Sequence, residues 1–265
     1  MALIYHYCSP QTFLKIIEGK VIWLSSTNNM NDSSEGKWYK ECVNKVLSEN
    51  ESEFGGAFCS SIKLQSEFLH KPKYISCFSL DGDSLSQWRA YAEDGVGVAI
   101  GFNEAELDVN GDLPLGHVNG KDSVSLSRVR YYKREDLEAD IKNAIERSIR
   151  SGNDSIVSQF KLVNYFYLEY LRVKNIAFAE ENEKRIIFTP VYDESERISN
   201  PLSELAFRVS DNLLTSHLEY KFKSTAIAEV ILGPKNKFTD YDLNMFLRHH
   251  GLEHVSCKRS EATYR

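Results

Sequence analysis

A chain of 265 residues, 42% hydrophobic and 26% charged with 14 Gly and 6 Pro, has a globular composition and enough length to bury a core without covalent staples. Its net charge of −6 excludes a molecule built as a whole to track nucleic acid, although basic clusters occur at Arg128 to Arg134 and from Arg248 to Arg265. No stretch reaches the ~20 apolar residues of a membrane helix and no basic start precedes a long apolar run, so a soluble, cytoplasmic protein without membrane association is expected.

Leu3-Ile4-Tyr5 reads as a short buried strand, and Ser9-Pro10 as a helix start in which serine caps free amides and proline takes the first turn. His6 and Tyr7 are thereby expected at a strand-to-helix corner. The helix "PQTFLKIIEG" carries Phe13, Leu14 and Ile17 on one face and stops at Gly19. "KVIWL" is a second strand, followed by a polar run in which Asp32 to Glu35 fits a capping box. The helix it opens turns Trp38, Cys42, Val43 and Val46 inward.

Tyr74 to Leu80 is the next strand, and "DSLSQWRAYA" a short helix capped by Asp83. "GVGVAIGF" is a β-branched strand whose glycines point to a bulge or a close backbone approach. "LSRVRYY" is a further strand. Leu137, Ile141, Ile145 and Ile149 recur at helical spacing, and "SIVSQFKLVNYFYLEYLRV" forms a second, more aromatic helix after a turn at Ser151 to Asn153. Strands return in "EKRIIFTPV", "TSHLEYKF" and "AIAEVILG", before a capped helix, "TDYDLNMFLRHHG", and a last strand, "HVSC". The expected fold is one α+β domain over residues 1–265, with a helical insertion at about 134–176.

Five cysteines (Cys8, Cys42, Cys59, Cys77 and Cys257) include no C-x-x-C spacing, which fits buried free thiols; Cys8 alone lies beside the corner where a reactive thiol could serve. There is no phosphate-binding glycine loop with lysine, no Gly-x-Ser-x-Gly and no His-Glu-x-x-His, and no metal-spaced His/Cys cluster, so no metal is expected. Four stretches set polar or aromatic residues between apolar strands: His6-Tyr7, the Asn31-Asp32 loop, Trp88-x-x-Tyr91, and Glu183 with Arg185. Each has a structural reading as well: a hydrogen-bonded corner histidine, a helix cap, a buried helix face, and a surface ion pair worth little.

The order of these stretches is more informative. "YHYCSPQTFLKIIEGKVIWLSS", "ISCFSLDGDSLSQWRAYAEDGVGVAIGF", "KNIAFAEENEKRII", "AEVILGPK" and the terminal Ser260-x-x-x-Tyr264-Arg265 together resemble a widespread bacterial family of uncharacterised function. That family looks like a remote relative of the ADP-ribosyltransferase fold, a resemblance that implies a split, mostly antiparallel sheet and NAD as substrate. Carried over to this chain, the resemblance implies that His6 binds a ribose hydroxyl and that Glu183 is the late-strand catalytic glutamate. It further implies that an aromatic residue, Tyr7, Trp88 or Tyr91, stacks on nicotinamide, with Tyr91 favoured, that Asn31 is a further cofactor contact, and that Arg185 holds Glu183 or meets the pyrophosphate. Tyr7 stands where many such enzymes have glycine, a departure that bears on how nicotinamide is placed.

A carboxylate near the ribose stabilises the positive charge that develops as the nicotinamide–ribose bond breaks, and stacking positions the leaving group. The resemblance implies an ADP-ribosyltransferase acting on protein, RNA or DNA, with a toxin or antiviral effector role. The alternatives are a nucleic-acid-processing enzyme using Arg128 to Arg134, and a non-catalytic nucleotide-binding sensor.

Overall fold

The computed structural model describes residues 2–29, 33–67, 71–109, 111, 116, 118–150, 156–210 and 212–262. In chain order it begins β1 (Leu3–Cys8), α1 (Pro10–Gly19), β2 (Val21–Ser26), α2 (Ser33–Glu49), α3 (Glu51–Phe54) and α4 (Gly56–Glu67). Then come β3 (Tyr74–Ser79), α5 (Leu85–Tyr91), β4 (Val98–Asn103), β5 (Val124–Arg128), β6 (Arg130–Tyr132), α6 (Arg134–Arg150) and α7 (Ile156–Tyr170). The rest is β7 (Val173–Asn175), β8 (Glu183–Phe188), β9 (Ala206–Ser210), β10 (Leu213–Lys221), β11 (Ile227–Leu232), α8 (Asp240–His249) and β12 (Ser256–Arg259).

Two compact units form. The first comprises Met1–Ser25, Tyr74–Arg128 and Glu180–Arg265. It holds an open, mostly antiparallel sheet in the order β12-β11-β4-β1-β3-β2-β10-β9, with β8 on β3 and β5 on β8. Strand β3 is the branch point. One edge pairs with β8 from Tyr74↔Phe188 to Ser79↔Glu183, while the other neighbours both β1, at Tyr5↔Ser79, and β2. Within this sheet β11 and β12 run parallel.

Local chemistry explains the ends of α1. The Ser9 hydroxyl accepts from the Thr12 amide at 3.1 Å, and Lys20 closes the helix in the left-handed conformation with φ 52°. Ile16, not Leu14, joins Phe13 and Ile17 in the core; Leu14 lies on the exposed side. That core also takes Ile4, Ile22, Leu24, Phe78, Ile100, Phe102, Ile186, Leu218 and Val230 from the strands, and Leu243 and Leu247 from α8. Strand alternation leaves the residues between these on the opposite face.

The second unit is Ser26–Lys73 with Val129–Ala179. The helical insertion expected over 134–176 therefore supplies only part of it. The rest comes from α2 to α4, whose Cys42, Val43, Val46, Phe54 and Ile62 share a core with Leu137, Ile141, Ile145 and Phe166. Trp38 and Ile149 are only partly buried against it. The expected second long helix stops at Tyr170, because Val173 pairs with Arg130 in a small parallel sheet of β6 and β7. That pairing also divides the single strand expected in "LSRVRYY". The turn at Ser151 to Asn153 lies outside the described residues.

Candidate active site

His6 lies within β1, two residues before its end, and so is not at the corner that the sequence predicts. Ile4 and Cys8, its neighbours two residues away on either side, belong to the core, so the imidazole shares their face. Its ring is 5.5 Å from that of Phe78, and Nδ1 lies 3.0 Å from the Cys77 carbonyl oxygen. Burial lowers the pKa of His6. The ring is accordingly neutral at pH 7, with its proton on Nδ1, where the carbonyl accepts it. Burial likewise pushes the Cys8 thiol up, which keeps it protonated and removes the nucleophile considered for this position.

Tyr7 and Trp88 occur together as packing. Their rings meet edge to face at 4.7 Å. The Tyr7 hydroxyl donates to the Asp81 carbonyl at 2.8 Å and accepts from the Ser84 amide at 2.9 Å. The Trp88 indole donates to Asp83 at 2.7 Å. Asp83 does not cap α5, whose first flanking residue is Ser84. Its carboxylate instead receives the Ser260 hydroxyl and, at 2.7 Å, the Glu261 amide. The Asp83 carboxylate thus ties the segment after β12 to the start of α5. Tyr264 and Arg265 lie outside the described residues, as do Asn31 and Asp32.

Tyr91 is different. It is 45% exposed, and its hydroxyl donates to the Glu181 carboxylate at 3.1 Å. Glu181 is further held by its carbonyl, which accepts from the Ser79 hydroxyl at 2.8 Å. Asn182 follows with φ 44° and accepts the Leu80 amide at 2.9 Å, after which Glu183 opens β8. Tyr91 is therefore tied to the turn that delivers Glu183.

Glu183 and Arg185 are 4% and 3% exposed. Their side chains form a two-pronged pair, Nε to Oε1 at 2.7 Å and Nη2 to Oε2 at 3.1 Å. Strand β8 is flanked on both edges, by β3 and β5, which is why two charges on it are buried rather than solvated as a surface pair. Register puts Glu183 opposite Ser79, which is opposite Tyr5, and Arg185 opposite Cys77 and Ser127. That is the face away from His6. The sheet brings Glu183, Arg185, Tyr5, Tyr7 and Ser79 to one side and leaves His6 on the other.

The basic cluster is largely engaged. Arg128 donates to the Asn182 side chain at 3.3 Å. Arg130 pairs with buried Glu169, and Arg134 lies 3.6 Å from Glu41 and 3.8 Å from Glu138. Among the described residues no group of His, Cys, Asp and Glu side chains is arranged to hold a metal ion, and no helix is long and apolar enough to cross a membrane.

Residues 87–186 match the model of a family described as "Protein of unknown function (DUF2971)". The match takes in Trp88, Tyr91, Glu183 and Arg185, and leaves His6 outside. No curated protein and no solved structure matches the chain.

Proposed function

We propose that the chain cleaves NAD at the nicotinamide–ribose bond and transfers the ADP-ribosyl group to an acceptor, with Glu183 as the catalytic carboxylate. The observation that carries this is the buried Glu183–Arg185 pair on the sheet face away from His6. Sequestering two charges is costly, and apolar residues of the same volume would stabilise the fold as well or better, so such a pair at this position points to chemistry. Arg185 keeps the carboxylate ionised and fixes its direction. As the glycosidic bond breaks, its electron pair leaves with nicotinamide, and the Glu183 charge stabilises the cation developing on the ribose. The acceptor nucleophile then bonds to the same carbon and loses its proton. With water as acceptor the reaction is NAD hydrolysis.

Of the three aromatic candidates, Tyr91 is the one with a ring open to stack on nicotinamide. Tyr7 and Trp88 are occupied with each other and with Asp81 and Asp83. On this reading His6 contributes through the core and not by touching ribose. The forked, mostly antiparallel sheet supports the ADP-ribosyltransferase-like architecture, and an effector role as toxin or antiviral factor is compatible with such chemistry. One observation favours binding without turnover: the Arg185 fork engages both oxygens of Glu183.

Nicotinamide release separates the two readings. Purified protein is incubated with NAD, with and without protein, RNA and DNA acceptors, and free nicotinamide and acceptor label are quantified. Turnover is expected, and Tyr91→Leu should slow it at least about tenfold with little change in stability. Saturable NAD binding with no nicotinamide under any condition leaves the sensor reading in place of the enzyme.

A further inference from the structure

On the wing formed by β2, β10 and β9, three polar side chains gather around one indole. Trp23 stacks on His217 with ring centres 4.2 Å apart and planes at 31°. The Arg208 guanidinium lies 5.4 Å from the Trp23 ring and reaches across β10 to donate to the Ser25 hydroxyl at 3.1 Å. Register accounts for the gathering. Ser25 is opposite His217, and Arg208 is opposite Thr215, two residues from His217 on the same face. Leu24 and Leu218 turn into the core with Phe78 and Ile186. Trp23, Ser25 and His217 thus project from the same side of the sheet as Glu183 and Arg185.

The cluster is incomplete as it stands. His217 is 4% exposed, and its Nδ1 is buried with no hydrogen-bond partner among the described residues. The Arg208 Nε is in the same condition, and among the described residues Arg208 forms no ion pair. Burial and the Arg208 charge both lower the His217 pKa, against a smaller opposing effect from Glu219, which lies opposite Trp23 on this face. Lys15 adds a second cation 5.6 Å from the Trp23 ring. Buried polar atoms left without partners are destabilising, and their presence in a folded protein asks for a missing partner. A water molecule can accept hydrogen bonds here but does not neutralise the guanidinium. An anion with several acceptor oxygens would take the Arg208 N–H groups in a fork and the His217 N–H beside them.

We propose that Arg208, His217 and Ser25, set around Trp23, form a binding subsite for a phosphate or pyrophosphate group, free or carried by a nucleotide. The subsite stands on its own geometry and does not require that Glu183 turn over NAD.

The test titrates inorganic phosphate, pyrophosphate, ADP and adenosine into the full chain by calorimetry, with thermal denaturation alongside. Pyrophosphate and ADP are expected to bind and to raise the melting temperature by mass action, and adenosine to bind at least tenfold more weakly. Similar affinity for pyrophosphate and ADP assigns the site to the anion alone; tighter binding of ADP assigns it to a nucleotide. Arg208→Gln should weaken both at least tenfold. His217→Leu, nearly equal in volume, should weaken anion binding while leaving the free protein as stable as wild type or more so, a combination that a purely structural histidine would not give. Unchanged ADP affinity in both variants, equal binding of adenosine and ADP, or no response to any of the anions at millimolar concentration overturns the proposal. Nicotinamide release is scored separately, so either reading can fail alone.

Discussion

Replacing Glu183 by glutamine keeps the shape of the side chain but leaves the Arg185 charge buried without its counter-ion. Both residues are at most 4% exposed and joined by two hydrogen bonds, so solvent relieves little of the imbalance. Breaking one partner of a buried pair costs about 3–5 kcal/mol. At roughly 2–4 °C per kcal/mol for a chain of this size, the melting temperature should fall by about 6–20 °C. The double variant Glu183→Gln/Arg185→Met removes both charges and keeps most of the volume. It should recover most of that loss, because well-packed neutral replacements of buried pairs are often neutral or stabilising. Activity should not recover. Loss of one electrostatic stabiliser of the developing ribosyl cation predicts nicotinamide release reduced by about two to three orders of magnitude in single and double variants alike. The assay pairs thermal denaturation with nicotinamide release per folded molecule. A double variant that regains activity together with stability would refute the catalytic assignment. A single variant that melts within a degree of wild type would refute the energetic argument from burial.

Three further outcomes follow from particular contacts. Trp88→Leu should cost about 3 kcal/mol, since a fully buried indole bonded to Asp83 is lost, whereas Tyr91→Leu at an exposed position should stay within about 0.5 kcal/mol by denaturant titration. Asp83→Asn should cost about 1–3 kcal/mol and speed amide exchange at Glu261, and unchanged exchange there would show that Asp83 does not hold the segment. Burial lowers the pKa of Lys73 to about 7, so the folded state carries the cost of a buried charge below pH 7 and sheds it as pH rises toward the unfolded value of about 10.5. Lys73→Met should therefore be more stabilising, relative to wild type, at pH 6 than at pH 9, and a pH-independent difference would refute the shift.

What was legible in the sequence was mostly local. Ser9 and Thr239 announce helix starts because a cap bonds an amide three residues away, and both do so here. The strands at Tyr74 and Glu183 announce themselves by composition. Features set by distant partners did not show. Nothing in "LRVKN" signals that Val173 pairs with Arg130, and helical spacing carried the expected helix through it. The core shared by α2 and α6 joins segments far apart in the chain, so one helical stretch was visible as an insertion and its other half was not. Strand β9 was missed because its Phe207 and Val209 are exposed, which breaks the link between apolar residues and burial that sequence reading relies on. With β9 went Arg208 and its position beside His217.

The same distinction explains His6 and Glu183. Alternation alone separates His6 from Tyr5 and Tyr7, but which set faces the core depends on α1 and α8 packing beneath Ile4 and Cys8. A histidine at the end of an apolar strand looks available until that face is known. Glu183 and Arg185 present the converse case: two charges on one side of a strand look like a solvated edge pair until both neighbours, β3 and β5, are in place. Tertiary pairing turns an inexpensive surface contact into a buried ion pair, while core packing leaves His6 on the opposite face. On the proposed reading, the chemistry is built around the carboxylate, with its partners drawn from the side that carries Tyr5, Ser79 and Arg185.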